Sequence, residues 1–106
     1  MGTRAQVKIE QYGNRAPVYL YQHYDGYNLP DTVRKALKKG RGSWNDECYL
    51  ARIIFCEMVK DDIAGTTGYG IDTEEHGDIE VLVEILQGQK VRIGSEEYTF
   101  EEFINK

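Results

Sequence analysis

The chain has 106 residues, 41% hydrophobic and 29% charged, with a net charge of −5 from 13 Lys plus Arg against 18 Asp plus Glu. That is the mix of one globular domain, residues 1–106, able to bury a modest core without a disulfide or metal staple. No apolar run approaches the roughly 18–20 residues of a membrane span, and the acidic balance argues against tight DNA binding through phosphate contacts, so a soluble, cytoplasmic protein with no membrane partner is expected.

Ala5, Val7 and Ile9 alternate with Gln6, Lys8 and Glu10, the pattern of a half-buried strand that runs to about Tyr12. Gly13-Asn14-Arg15 reads as a turn, and Pro17 to His23 as a second strand with Val18 and Leu20 toward the core and Tyr19, Tyr21 and His23 on the other face. A short polar connection makes the pair an antiparallel hairpin. Pro30–Lys39, with Asn28 as its cap and Gly40 at its end, has helical spacing at Val33, Ala36 and Leu37.

Asn45 is positioned to cap a second helix reaching about Lys60, with Asp46 and Glu47 in its first turn. Its apolar surface goes almost all the way round, which predicts burial on more than one side. On the wheel Arg52 falls among Phe55, Cys56 and Val59, so it is expected partly buried and paired, with Asp78 or Asp25 as partner. Cys48 and Cys56, about 12 Å apart along the helix axis, are too distant to bridge and read as buried thiols. Leu50 and Ile53 fall on the same side as Glu57, toward solvent, where two copies could bury them as a homodimer unless the following loop, with Ile63, covers them.

Residues 61–78 read as a loop with a short strand around Tyr69–Ile71. Ile79–Leu86 and Lys90–Ile93 are strands, and a further turn leads to Tyr98. Thr99 to Glu102 has capping-box spacing for a short last helix. The expected fold is α+β: an antiparallel sheet packed against a long central helix, in the order ββααβββα.

Charge is unevenly divided, with ten basic and six acidic residues in 1–60 against three and twelve in 61–106. The cluster Arg34, Lys35, Lys38, Lys39 and Arg41 is either a contact for an anion or a solvated helix end favoured by the dipole.

Phosphate-loop, serine-nucleophile and zinc-finger signatures are absent. Two constellations carry chemistry. His23-Tyr24-Asp25 and His76-Gly77-Asp78 each place an imidazole two residues before a carboxylate, and together His23, Asp25, His76 and Asp78 could hold a divalent metal in an N/O site. Otherwise each Asp shapes a turn beside a glycine. Tyr19, Tyr21 and His23, extended by Tyr24, Asp25 and Tyr27, could form a binding surface for a protein or a nucleotide-like small molecule, since rigid aromatics with polar tips suit one; cross-strand packing would account for them equally.

Thr3-Arg4-Ala5 before an alternating strand, Tyr21-Gln22-His23-Tyr24-Asp25-Gly26-Tyr27, Trp44-Asn45-Asp46, Gly68-Tyr69-Gly70-Ile71 and His76-Gly77-Asp78-Ile79-Glu80 resemble a group of small uncharacterised proteins of phages, prophages and prokaryotic chromosomes. The resemblance spans most of the chain and transfers no activity and no site residue. What it implies is a mobile-element origin, which favours binding over catalysis. The expected function is a small intracellular, non-catalytic interaction module with no cofactor, acting as an accessory or counter-defence protein. The alternative is a metal-dependent hydrolase or nucleotide-processing enzyme built on the two His-x-Asp segments.

Overall fold

The computed structural model describes residues 3–11, 13 and 15–106; Tyr12 and Asn14, read as strand end and turn, lie outside the described residues. In chain order come strands β1 (Ala5–Ile9) and β2 (Val18–Gln22), helices α1 (Leu29–Lys39) and α2 (Glu47–Val59), strands β3 (Tyr69–Asp72), β4 (Val81–Leu86), β5 (Lys90–Ile93) and β6 (Glu96–Thr99), and helix α3 (Phe100–Ile104). The class is α+β, with four strands in the second half where the sequence pattern indicates about three.

The six strands form one sheet in the order β3-β2-β1-β4-β5-β6. β1 pairs antiparallel with β2 and parallel with β4, while every other neighbour is antiparallel. The sheet is therefore mixed, which corrects the antiparallel expectation. Hairpin connections set only the local pairs, and the two strand groups meet through β1 with β4 and β2 with β3, neither pair joined by a turn.

One face of the sheet carries Ala5, Val7, Ile9, Leu20, Val83, Ile85 and Val91 into the core, where they meet Leu29, Val33, Ala36 and Leu37 of α1, Leu50, Ile54 and Met58 of α2, and Phe100, Phe103 and Ile104 of α3. The capping box at Thr99 forms as its spacing indicates, its side chain accepting from the Glu102 amide at 3.1 Å while the Glu102 carboxylate accepts from the Thr99 amide at 2.8 Å. At α2 the cap is Asp46, not Asn45: its carboxylate accepts the Tyr49 amide at 3.0 Å.

The rotation of α2 differs from the wheel reading. Its buried positions are Leu50, Ile54, Glu57 and Met58, and Cys48, Arg52 and Cys56 are exposed. Three expectations are corrected together. The thiols are solvent-facing, Arg52 has no carboxylate within ion-pair distance among the described residues, and Leu50, 2% exposed, packs in the core in place of facing solvent, while Ile53 stays half-buried. The cause is that a helix apolar on nearly every side carries no strong directional signal, so its neighbours choose the buried stripe.

Glu57, on that buried stripe, is tolerated because Lys39 and Lys60 reach its two carboxylate oxygens at 2.8 and 2.7 Å. Hydrogen bonds from Lys39 first and Lys60 second hold its carboxyl below the usual range against the opposing effect of burial. On the other face of the sheet, Arg92 grips Glu84 with two bonds of 3.0 and 2.9 Å and lowers its pKa in the same way.

The basic cluster is largely committed to partners. Arg34 and Lys35 pair with Asp31, Lys39 with Glu57, and Arg41 with Glu101. Among the described residues, no helix is long and apolar enough to cross a membrane.

Two outcomes follow for stability. Ile54→Ala, at a fully buried position, lowers it by about 2–5 kcal/mol in urea denaturation, whereas Arg52→Ala stays within about 0.5 kcal/mol. Because the folded-state pKa values of Glu57 and Glu84 are depressed, the stability their pairs contribute is fully present above the ordinary glutamate value of about 4.3. It is lost as pH falls through the lowered values. A Glu57→Gln, Glu84→Gln double variant should therefore lose less stability than the parent between about pH 5 and pH 2, with the two proteins compared by urea midpoint at each pH.

Candidate functional site

The Tyr21–Tyr27 segment sits where β2 ends and turns toward α1, and its shape is set by two residues that do not face solvent. Gln22, 5% exposed, sends its side-chain amide to the carbonyls of Tyr24 at 2.6 Å and Asp25 at 3.2 Å, so the turn is held from within. Gly26 lies so close to the start of the chain that a Cβ there would come within 2.7 Å of the Thr3 carbonyl oxygen and 2.9 Å of the Ala5 side chain. The Gly26 amide donates to that same carbonyl at 3.1 Å. Between them Asp25 adopts a left-handed conformation, φ 59°, which Asp tolerates better than most residues, and its carboxylate accepts from the Asn28 side-chain Nδ2 at 2.7 Å.

On this scaffold the aromatic rings form a continuous run. Tyr21 stacks on His76 with centroids 4.4 Å apart and planes at 23°. The Tyr21 hydroxyl and His23 Nδ1 share a hydrogen bond of 2.8 Å, and the His23 ring meets the edge of Tyr24 at 4.9 Å. Tyr24 lies over Gly68, whose carbonyl takes the His23 amide at 2.8 Å. Tyr24 is 53% and Tyr27 74% exposed.

His76 arrives from far along the chain. β3 and β4 run in the same direction with β2 and β1 between them, so the segment joining them crosses the sheet, and His76's contacts with Tyr21 and Gln6 place that crossing on the face opposite the helices. The His76 amide donates to Gln6 Oε1 at 3.1 Å, and its Nε2 lies 3.8 Å from Asp72. Gln6 is completely buried, and its Nε2 has no hydrogen-bond partner among the described residues. The assignment of the amide oxygen follows from the His76 N–H, which can only donate.

The expected binding residues differ in exposure and in the contacts they make. Tyr21, His23 and Tyr24 touch one another in series, with exposed Asp25 and Tyr27 following in the same turn, but Tyr19 is 8% exposed and lies beside Lys8 and Asp72 in register. It therefore contributes packing in place of surface. The two imidazoles of the expected metal set, His23 and His76, do meet at Tyr21. Their aspartates diverge: Asp25 is engaged by Asn28, and Asp78, in a left-handed turn, reaches Arg4 at 3.9 Å. Among the described residues no three His, Cys, Asp or Glu side chains are placed to hold a metal ion. The set His23, Asp25, His76, Asp78 fails to assemble because an His-x-Asp spacing fixes neither the direction of the two side chains nor the turn between them.

Three contributors escape a reading by pattern. Gln6 and Gln22 sit at positions that are polar in the sequence and buried in the fold. Tyr69 lies where burial first, and then the charges of Asp62, Asp25 and Asp61, push its phenol pKa up. The only signal for Gln22 was its place inside the Tyr21–Tyr27 motif, and for Gln6 there was none.

Compared with protein-family models, curated proteins and solved structures, the chain matches none.

The two glycines of the His-x-Asp neighbourhoods separate close approach from open loop. Gly26→Ala should lower the denaturation midpoint by the equivalent of about 1–3 kcal/mol, since backbone must move to admit the methyl group. Gly77→Ala, with nothing within 4 Å of its Cβ position, should be neutral or stabilising by up to about 1 kcal/mol. Thermal melts of the two variants beside the parent check both.

Proposed function

We propose that this protein is a small, non-catalytic, intracellular binding module whose contact surface is the aromatic run His76, Tyr21, His23 and Tyr24, with Asp25 and Tyr27 at its rim. The observation that carries the reading is the pair of exposed tyrosines, Tyr24 and Tyr27, on a turn whose backbone is held from within by Gln22 and Gly26. Aromatic side chains presented on a fixed backbone lose little further entropy on association, and such residues tend to dominate contact energies. The occupant of best fit is a protein partner that places an apolar group between the two tyrosines and a donor opposite Asp25. A nucleobase stacked on Tyr24 is the small-molecule version of the same contact. The resemblance to mobile-element proteins accords with an accessory or counter-defence role.

An enzymatic reading, metal-dependent hydrolysis or nucleotide processing, draws support from one feature, the meeting of His23 and His76 at Tyr21.

Affinity capture from a host lysate, followed by titration of the purified partner, distinguishes these. A Tyr24→Ala, Tyr27→Ala double variant should keep the parent melting temperature and weaken the partner's binding by about 100-fold, whereas Tyr49→Ala, an exposed tyrosine on α2, leaves it unchanged. Equal binding by parent and double variant would refute the aromatic surface. Stoichiometric metal in protein purified without a tag, lost in a His23→Ala, His76→Ala variant, would favour the enzyme.

A further inference from the structure

A cleft of about 570 Å³ lies on the helical side of the molecule, away from the aromatic run, between the end of α1, α2 and the segment that follows α2. Its polar lining is Lys39, Arg52, Lys60 and Glu57, and its apolar lining includes Ile53 and Ile63. Small-molecule sites typically occupy about 300–1,000 Å³, so the space suits a compact ligand.

The charges do not cancel. Glu57, with a side chain 3% exposed, already has one oxygen on Lys39 and the other on Lys60. It neutralises one of the two ammonium groups and has no oxygen without a partner. Arg52 has no carboxylate within ion-pair distance among the described residues. The four charged side chains of the cleft therefore sum to +2, within a chain of net charge −5. Asp61 also acts on Lys60, which leaves Arg52 as the cation with most charge to spare. Neutralising Glu57 accounts for the two lysines, but not for Arg52 or for Ile63, which is 78% exposed.

We infer that this cleft binds a small amphipathic anion, an aromatic or short alkyl body bearing one phosphate or carboxylate. The guanidinium of Arg52 takes the acidic group in its planar fork, with the ammonium groups of Lys39 and Lys60 adding field. The apolar body covers Ile53 and Ile63 and removes them from water. Neither half suffices: a bare anion would leave the isoleucines exposed, and a neutral apolar molecule would leave Arg52 without a counter-charge.

The test is a titration of the whole chain, labelled at isoleucine methyls and backbone amides, with phenyl phosphate, inorganic phosphate and benzyl alcohol in separate series. Phenyl phosphate should give saturable shifts at Ile53, Ile63 and Arg52 with half-saturation near about 1 mM, and each half-ligand should bind at least about tenfold more weakly. Arg52→Glu, at an exposed position, should keep the melting temperature and raise half-saturation for phenyl phosphate about tenfold or more, while Lys38→Glu, the same charge change outside the cleft, shifts it less than about twofold. Equal binding of phosphate and phenyl phosphate, equal loss in the two charge variants, or no saturable shift by about 20 mM overturns the inference. None of these outcomes depends on the aromatic surface, since Tyr24 and Tyr27 are untouched.

Discussion

The parallel pairing of β1 with β4 is the constraint from which the rest of the arrangement follows. β1 takes β2 on one side as a hairpin partner and β4 on the other from beyond both helices. With β3 added outside β2, the chain leaves the sheet at one edge and must re-enter past two strands, running in the same direction. A hairpin turn cannot make that return. The connection crosses the open face instead, and in crossing it lays His76 on Tyr21 and its amide on Gln6. The aromatic run is thus a product of sheet topology as much as of the tyrosine-rich segment itself.

Burying polar groups to hold that crossing is costly. An amide left without a partner in the interior costs about 1–3 kcal/mol, and among the described residues Gln6 Nε2 meets no partner. Gln22, at the opposite end of the balance, satisfies its donor on two carbonyls and makes the Tyr21–Tyr27 turn a fixed object. A rigid turn that leaves Tyr24 and Tyr27 in water gains nothing for folding from those rings beyond local contacts. Under the binding role proposed above, that arrangement is preorganised for a partner.

On the opposite layer, α2 is dominated by the burial of Glu57. A carboxylate there is sustained by two lysines from different elements, Lys39 near the end of α1 and Lys60 just past α2. The rotation of α2 carries Arg52 and Cys56 outward beside the cleft and Leu50 inward to the core that holds Ile9 and Phe100. Packing and surface chemistry on this side are one choice.

The α+β class, the β1–β2 hairpin, the two main helices and the Thr99 capping box were legible in the sequence because each depends on residues a few positions apart: alternation, helical spacing, a proline at a first turn, a hydroxyl three residues before a glutamate. The surface formed by Tyr21, His23, Tyr24, Asp25 and Tyr27 was legible for the same reason, being one contiguous stretch. Tertiary structure alone decided the parallel β1–β4 pair, since no local signal couples strands separated by two helices, and with it the placement of His76. It decided which stripe of α2 is buried, because Cys48–Val59 is apolar on so many sides that hydrophobic periodicity selects no face, so Cys48, Arg52 and Cys56 emerged exposed and Leu50 did not. It also separated Asp25 from Asp78, two turns whose directions depend on Asn28 and Arg4, partners that an His-x-Asp spacing does not contain.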